Sequence, residues 1–197
     1  MGMSQQILEK LFDSPTKLRL LKLFLRNPGK KFSLKDIREK TLLKTAQINK
    51  ELKKLEDIKI IQIRKQRGKR DKLFQLNMGF IFIKELQNLI LKSSPTDQDK
   101  MTQKLRGLGG IKLAVLSGVF IRHDNEDVRA DLLLVGDRVN DKRLAGFMKN
   151  LEAEAGTEID YAVFDNEEFQ YRQKMFDRFL RDILEKPHKK LINKIIK

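Results

Sequence analysis

The sequence predicts an α+β protein in two parts: helices and one β-hairpin come first, and then strands alternate with helices. Apolar residues recur at helical spacing up to about residue 57, and two strand-like runs follow. After residue 110, apolar runs of strand length are separated by helical segments. A polar, turn-prone stretch at 93–99 lies between these patterns. We therefore predict domains at 1–92 and 111–197, joined by a linker at 93–110.

Positive charge is concentrated in the first part. The chain has 197 residues, with 42 Lys and Arg against 27 Asp and Glu, for a formal net charge of +15. Residues 1–92 contain 23 basic and 9 acidic residues, a net charge of +14, whereas the remainder contains 19 and 18, a net charge of +1. A basic excess confined to one part favours a polyanionic partner for that part.

Composition excludes several function classes. The chain has no Cys and two His, so disulfide scaffolds, thiolate zinc sites and Cys nucleophiles are excluded. We expect no cofactor and no protein-bound metal ion. The N-terminal residues lack a secretory pattern, and the densest apolar window, 80–91, contains two charged residues and is too short to span a bilayer. We therefore expect a cytoplasmic protein with no membrane partner.

Capping signals place the first helices. Ser14-Pro15 begins a helix whose leucines follow at helical spacing until Asn27-Pro28-Gly29 ends it. Ser33 begins a short second helix. A third helix begins near Thr45, and Ile48, Leu52 and Leu55 share its apolar face. Its other face carries side chains that donate to phosphates or base edges, and we predict DNA contacts at Lys44, Thr45, Gln47, Asn49, Lys50, Lys53 and Lys54.

A basic β-hairpin follows the third helix. Two strand-like runs within 60–76 flank a basic tip centred on Gly68. We predict that the hairpin contacts DNA through Lys65, Arg67, Lys69, Arg70 and Lys72.

The order of these elements resembles the winged helix-turn-helix of ArsR-like and MarR-like regulators, from Leu8 to about Leu91. The resemblance implies that the chain binds double-stranded DNA, with the third helix in the major groove and the wing along the backbone. The apolar surplus at 80–91 has two interpretations: a helix that closes the core, or a helix that forms a homodimer.

The second part contains strands at 111–117, 130–135 and 158–164 and helical stretches at 141–155 and 166–184. Gly118-Val119-Phe120, the run from Arg129 to Gly136 and the strand containing Asp160 resemble the minimal, DNA-polymerase-beta-like nucleotidyltransferase fold. The resemblance implies an α/β domain with a small mixed sheet. It also implies a Gly-Ser dipeptide for phosphate and three carboxylates for two metal ions.

This sequence departs from that pattern. Val119 replaces the serine and Arg129 replaces the first carboxylate, whereas Gly118, Asp131 and Asp160 match. We expect Arg129 to form a salt bridge with Asp131 or Asp160, and its charge to disfavour metal binding. The domain is then a pseudoenzyme that serves as a scaffold, a dimer surface or a sensor.

These observations together predict a dimeric DNA-binding transcription regulator. Two alternatives stay open. One is an active metal-dependent nucleotidyltransferase whose N-terminal domain recruits nucleic acid, and the other is an antitoxin-like protein that binds a protein partner. A small-molecule or protein effector also stays open.

Overall fold

A computed structural model of the chain describes residues 3–65, 72–93, 96–121 and 129–196. The predicted α+β class is confirmed, with two small sheets and helices around them. Contacts divide the described residues into two compact units. The first unit comprises 3–65, 72–93 and 150–158, and the second comprises 96–121, 129–149 and 159–196. None of the helices in these ranges is long and apolar enough to cross a membrane.

The first unit is a helical layer with a three-stranded antiparallel sheet, ordered β1-β3-β2. Its helices are α1 (Met3–Leu11), α2 (Pro15–Arg26), α3 (Leu34–Thr41), α4 (Thr45–Asp57) and α5 (Ile83–Lys92). Its strands are β1 (Lys31–Ser33), β2 (Ile61–Lys65) and β3 (Lys72–Leu76).

Local capping fixes where the early helices begin, as the sequence predicts. The Lys17 backbone N–H donates to Ser14 Oγ at 3.1 Å, and proline occupies the first turn of α2. Ser33 and Asp36 form a reciprocal capping box at α3. Helix α2 is central, because it contacts α3, α4 and α5 and its Leu20 and Phe24 side chains are fully buried.

A distant segment completes the first unit. The Asn27 side-chain amide donates to the Gly156 carbonyl oxygen at 2.8 Å, and Lys22 Nζ donates to the Glu154 carbonyl oxygen at 3.3 Å. Gly156 has φ +78°, and a Cβ there would lie 2.6 Å from the Lys22 carbonyl carbon. The backbones therefore approach more closely than any side chain would permit. The predicted domain boundary assigned 150–158 to the second part.

The second unit is built on a four-stranded mixed sheet, ordered β6-β5-β4-β7, in which only β5 and β6 are parallel. Its strands are β4 (Ile111–Leu116), β5 (Leu132–Gly136), β6 (Tyr161–Phe164) and β7 (Lys189–Asn193). Its helices are α6 (Gln98–Arg106), α8 (Asn166–Lys174), α9 (Arg178–Leu184) and the first part of α7 (Asp141–Ala155). A 3₁₀ turn, Gly118–Phe120, follows β4.

Segments 93–110 and 166–184 differ from the sequence prediction. The predicted linker 93–110 contains α6, which Asp97 caps and which buries Met101 and Leu105. The single helical stretch predicted at 166–184 is two helices, because Phe176 takes the left-handed conformation at φ +53° and Asp177 caps a new helix. Two buried side chains on a polar helix give a weak periodic pattern, which explains why α6 was missed.

Candidate nucleic-acid interface

Helix α4 is anchored in the first unit by its apolar face. Ile48, Leu52 and Leu55 are each no more than 3% exposed, and the helix contacts α2, α3 and β2. The turn from α3 into α4 passes through Leu42, whose N–H donates to the Arg38 carbonyl oxygen at 2.9 Å and whose left-handed backbone (φ +56°) ends α3. The orientation of α4 is thus fixed from inside, leaving its other face to solvent.

The outer surface of α4 carries the side chains that the sequence singled out. All seven predicted contact residues are exposed: Lys44, Thr45, Gln47, Asn49, Lys50, Lys53 and Lys54. Gln47 also has a local role, because its Oε1 accepts from the Lys44 backbone N–H at 3.4 Å as part of the helix cap. Asn49 has no such local role among the described contacts, so its amide is the better candidate for reading a base edge.

Lys54 is held by a carboxylate that sequence reasoning missed. Glu51 is 5% exposed, and its Oε1 accepts from Lys54 Nζ at 2.9 Å. Its Oε2 is buried and has no hydrogen-bond partner in the described part of the chain. The i, i+3 spacing of the pair was visible in the sequence. This pairing weakens Lys54 as a phosphate contact relative to Lys50 and Lys53.

A groove runs between α4 and the hairpin. Asn49 and Lys53 line it from the helix, and Ile63, Lys72 and Phe74 line it from β2 and β3. Glu56 and Asp57, at the end of α4, line it as well. These two carboxylates, which were not predicted from the sequence, would repel phosphates. The positive part of the groove is therefore the part beside the N-terminal turns of α4.

The hairpin strands pair in register from Ile61 opposite Leu76 to Lys65 opposite Lys72. Lys72 and Arg64 are exposed, and Arg64 adds a basic residue that was not predicted. The predicted tip contacts Arg67, Lys69 and Arg70 lie outside the described residues, and only the backbone of Lys65 is described.

In the second unit, Asp131 binds two backbone segments. Its Oδ1 accepts from the Val119 N–H at 2.9 Å, and its Oδ2 accepts from the Asp160 N–H at 3.1 Å. Burial raises the pKa of the Asp131 carboxyl, and these two hydrogen bonds partly offset the increase. Gly118 has φ +49°, and a Cβ there would lie 2.0 Å from Asp131 Oδ1. Carboxylate and turn are therefore packed directly together.

Arg129 does not pair as expected from the sequence. Its Nε donates to Asp182 Oδ2 at 2.8 Å, on α9, and not to Asp131 or Asp160. Asp182 offers a carboxylate on a neighbouring helix, and the Asp131 oxygens accept the backbone N–H groups of Val119 and Asp160. Asp160 is exposed. Within the described ranges, no group of three or more His, Asp or Glu side chains is arranged to hold a metal ion.

Comparisons with protein-family models, with curated proteins and with solved structures give no match to this chain. Its function is therefore inferred from its own residues. Two features are available: the exposed face of α4 beside the hairpin, and the turn held by Asp131.

Proposed function

We propose that the chain is a double-stranded DNA-binding transcription regulator whose first unit is a winged helix-turn-helix. Helices α3 and α4 form the helix-turn-helix, and β2 and β3 form the wing. One observation carries the proposal: α4 is anchored by buried Ile48, Leu52 and Leu55 and exposes Asn49, Lys50 and Lys53 beside the hairpin. A helix of this kind fits the major groove of B-DNA.

The side chains on α4 divide the work of recognition. The Asn49 amide can both donate and accept, which suits paired hydrogen bonds to an adenine edge. Lys50 and Lys53 supply positive charge for phosphates or for guanine acceptors. Because Glu56 and Asp57 follow at the end of the helix, the first three turns of α4 are the part that enters the groove.

Charge supports the same assignment. The net charge of +14 on residues 1–92 favours a ligand with closely spaced negative charges, which duplex DNA provides along its whole length. Binding that neutralises phosphates releases counterions, so it must weaken as salt increases.

We propose further that the regulator is a homodimer through α5. Ile83 and Ile90 bury one face of this helix in the core, and Phe82, Leu89 and Leu91 expose apolar surface. One face of α5 then closes the core and another forms the homodimer, so both interpretations of segment 80–91 apply. A second copy covers the exposed face, and two copies read a two-fold operator. Sedimentation of Leu89→Glu as a monomer, against a dimer of the native chain, tests this.

The second unit is proposed to be a pseudoenzyme with a scaffold role. Val119 lacks the hydroxyl for a phosphate, Arg129 replaces one carboxylate, and both oxygens of Asp131 accept hydrogen bonds from the backbone. The remaining side chains are poorly suited to assembling two divalent ions.

The DNA-binding proposal is tested with the full chain. Selection from genomic fragments yields a preferred duplex, and fluorescence anisotropy then measures the affinity of the native chain and of Lys50→Gln/Lys53→Gln. We expect the variant to bind about 10-fold or more weakly, and the salt slope to decrease by roughly 0.9 for each phosphate that the variant no longer neutralises. Lys142→Gln/Lys149→Gln, which removes the same charge from exposed positions on α7, is the matched control. Equal affinity of the native chain and the α4 variant would contradict the proposal.

A further inference from the structure

Residues 93–197 have a net charge of only +1, but their basic and acidic residues are unevenly distributed along the sequence. Residues 93–185 contain 14 basic and 18 acidic residues, a net charge of −4. Residues 186–197 contain five lysines and no acidic residue, a net charge of +5. Positive charge in the second half is therefore concentrated at its C-terminal end.

The structure places this segment at the edge of the second sheet. Strand β7 pairs with β4 on one side only, and α6 packs against both β4 and β7. Lys189 Nζ donates to Gln98 Oε1, which ties the strand to the start of α6. Lys100 on α6 and Lys189, Lys190 and Lys194 at the strand are exposed. We name these four lysines the basic edge.

In the part of the chain that the structure describes, lysines of the basic edge lack the carboxylate partners that several other cations of this unit have. Lys112 pairs with Asp137 at 2.6 Å, and Arg129, Arg172 and Arg181 also have carboxylate partners. Within the described residues, Lys100, Lys190 and Lys194 form no ion pair. Their charges are therefore available to an external anion.

We infer that the basic edge binds the phosphate backbone of duplex DNA as a second contact surface, separate from α4. The choice of DNA rests on the proposed function. The choice of a duplex rests on composition: neither residues 186–197 nor α6 contains Phe, Tyr or Trp. Single-strand binding surfaces combine basic grooves with aromatic rings on which bases stack, and this surface offers charge alone. It contacts phosphates without reading sequence.

Edge lysines have another known effect, which the test must separate. Charged side chains on an edge strand prevent two sheets from pairing edge to edge. On that interpretation, neutralising the lysines promotes self-association and leaves DNA binding unchanged.

The experiment uses the full chain and the triple variant Lys100→Gln/Lys190→Gln/Lys194→Gln. The matched control, Lys142→Gln/Lys149→Gln/Lys174→Gln, removes the same charge from exposed positions on other helices. Affinity for the preferred duplex and for a random duplex is measured between about 50 and 200 mM salt. For the basic-edge variant we expect the salt slope to decrease by roughly 2 to 3, at about 0.9 per neutralised phosphate, with both duplexes affected alike. The control should keep the native slope.

The outcomes separate this inference from the proposed function. An unchanged slope in the basic-edge variant overturns the inference alone, and self-association of that variant on sedimentation would then identify edge protection. A reduced slope in that variant, combined with no effect of Lys50→Gln/Lys53→Gln, supports the basic edge and removes α4 as the reader. Failure of the native chain to bind any duplex overturns both. Tighter binding to a single strand, abolished in the basic-edge variant, overturns the duplex assignment.

Discussion

At the scale of single residues, Asp131 has a structural role. Its position in the sequence is one where the resemblance implies a metal-binding carboxylate. Its carboxylate joins the turn after β4 to the residue before β6, through the N–H groups of Val119 and Asp160. A hydrogen bond to a charged acceptor contributes to the free energy of unfolding, and the bond from the Val119 N–H is partly buried.

We therefore expect Asp131→Ala to lower the free energy of unfolding by about 1–3 kcal/mol. Asp131→Asn should cost less, because the amide oxygen can still accept one of the two hydrogen bonds. Urea unfolding followed by circular dichroism measures both. Equal stability of the alanine variant and the native chain would show that these bonds contribute nothing.

Lys22 gives a prediction about pH. Burial, and secondarily the nearby Arg26 charge, lowers the pKa of Lys22 from 10.5 to about 8. Between pH 8 and 10.5 the unfolded chain keeps a proton that the folded chain has released, so stability should rise with pH across this window. The increment is at most about 3 kcal/mol, at 1.36 kcal/mol for each pKa unit.

Lys22→Met should lack this increment, and Lys84→Met, at an exposed position, should keep it. Urea unfolding at several pH values from 7 to 10.5 is the measurement. Parallel pH profiles for the native chain and Lys22→Met would contradict the assignment to Lys22.

At the residue scale, contacts between residues close in sequence could be predicted, and contacts between distant residues could not. The caps at Ser14 and Ser33 were predicted from the sequence because a cap involves residues three apart. The Arg129 partner was predicted wrongly, since Asp182 is 53 positions away and only folding brings it close. The link from Asn27 to Gly156 was missed for the same reason.

At the scale of elements, α4 and the hairpin are expected to contribute different properties to DNA binding. Asn49 is exposed at the groove and can pair with a base edge, whereas the hairpin contributes mainly positive charge. Asn49→Ala should cost about 1–3 kcal/mol of binding free energy on the preferred duplex and little on random DNA.

The hairpin variant Arg67→Gln/Lys69→Gln/Arg70→Gln should weaken binding to both duplexes alike, because phosphate contacts carry no sequence information. Anisotropy titrations with the two duplexes compare the two variants. If the hairpin variant lost sequence preference and Asn49→Ala did not, the hairpin would be the element that reads bases and α4 the one that binds phosphates.

Elements with strong periodicity were predicted and weak ones were not. Helices α2 and α4 carry three or more leucines or isoleucines on one face, and the hairpin has alternating runs around a glycine. Strand β1 has three residues and exists because β3 pairs with it, and β7 follows a helix in a lysine-rich segment. Such strands depend on a neighbouring strand that no local pattern reveals.

At the scale of the whole molecule, we expect no metal-dependent nucleotidyl transfer. Incubation with labelled nucleoside triphosphates, Mg²⁺ or Mn²⁺ and candidate protein or RNA acceptors should give no product above that of Asp131→Asn. The asparagine variant is the better control, since Asp131→Ala is expected to perturb the fold. Transfer that Asp131→Asn abolishes would restore the enzyme interpretation.

A second arm asks whether the site can be rebuilt. Val119→Ser/Arg129→Asp introduces the serine hydroxyl and the carboxylate that the resemblance to nucleotidyltransferases implies for these positions, and it should raise Mg²⁺-nucleotide affinity if the surrounding backbone keeps the necessary shape. Arg129→Asp also leaves Asp182 without its ion-pair partner. Arg129→Ala is therefore the matched control for that effect, and calorimetric titration with Mg²⁺-ATP measures all three chains.

The packing of 150–158 against α2 has a consequence for how the protein is made. Helix α5 ends at Lys92, yet the first unit lacks the segment that accepts from Lys22 and Asn27 until residue 158 has been synthesised. At about 5–20 residues per second, the nascent N-terminal half waits several seconds on the ribosome with that surface open. A gene fragment that stops at residue 92 makes this waiting state permanent.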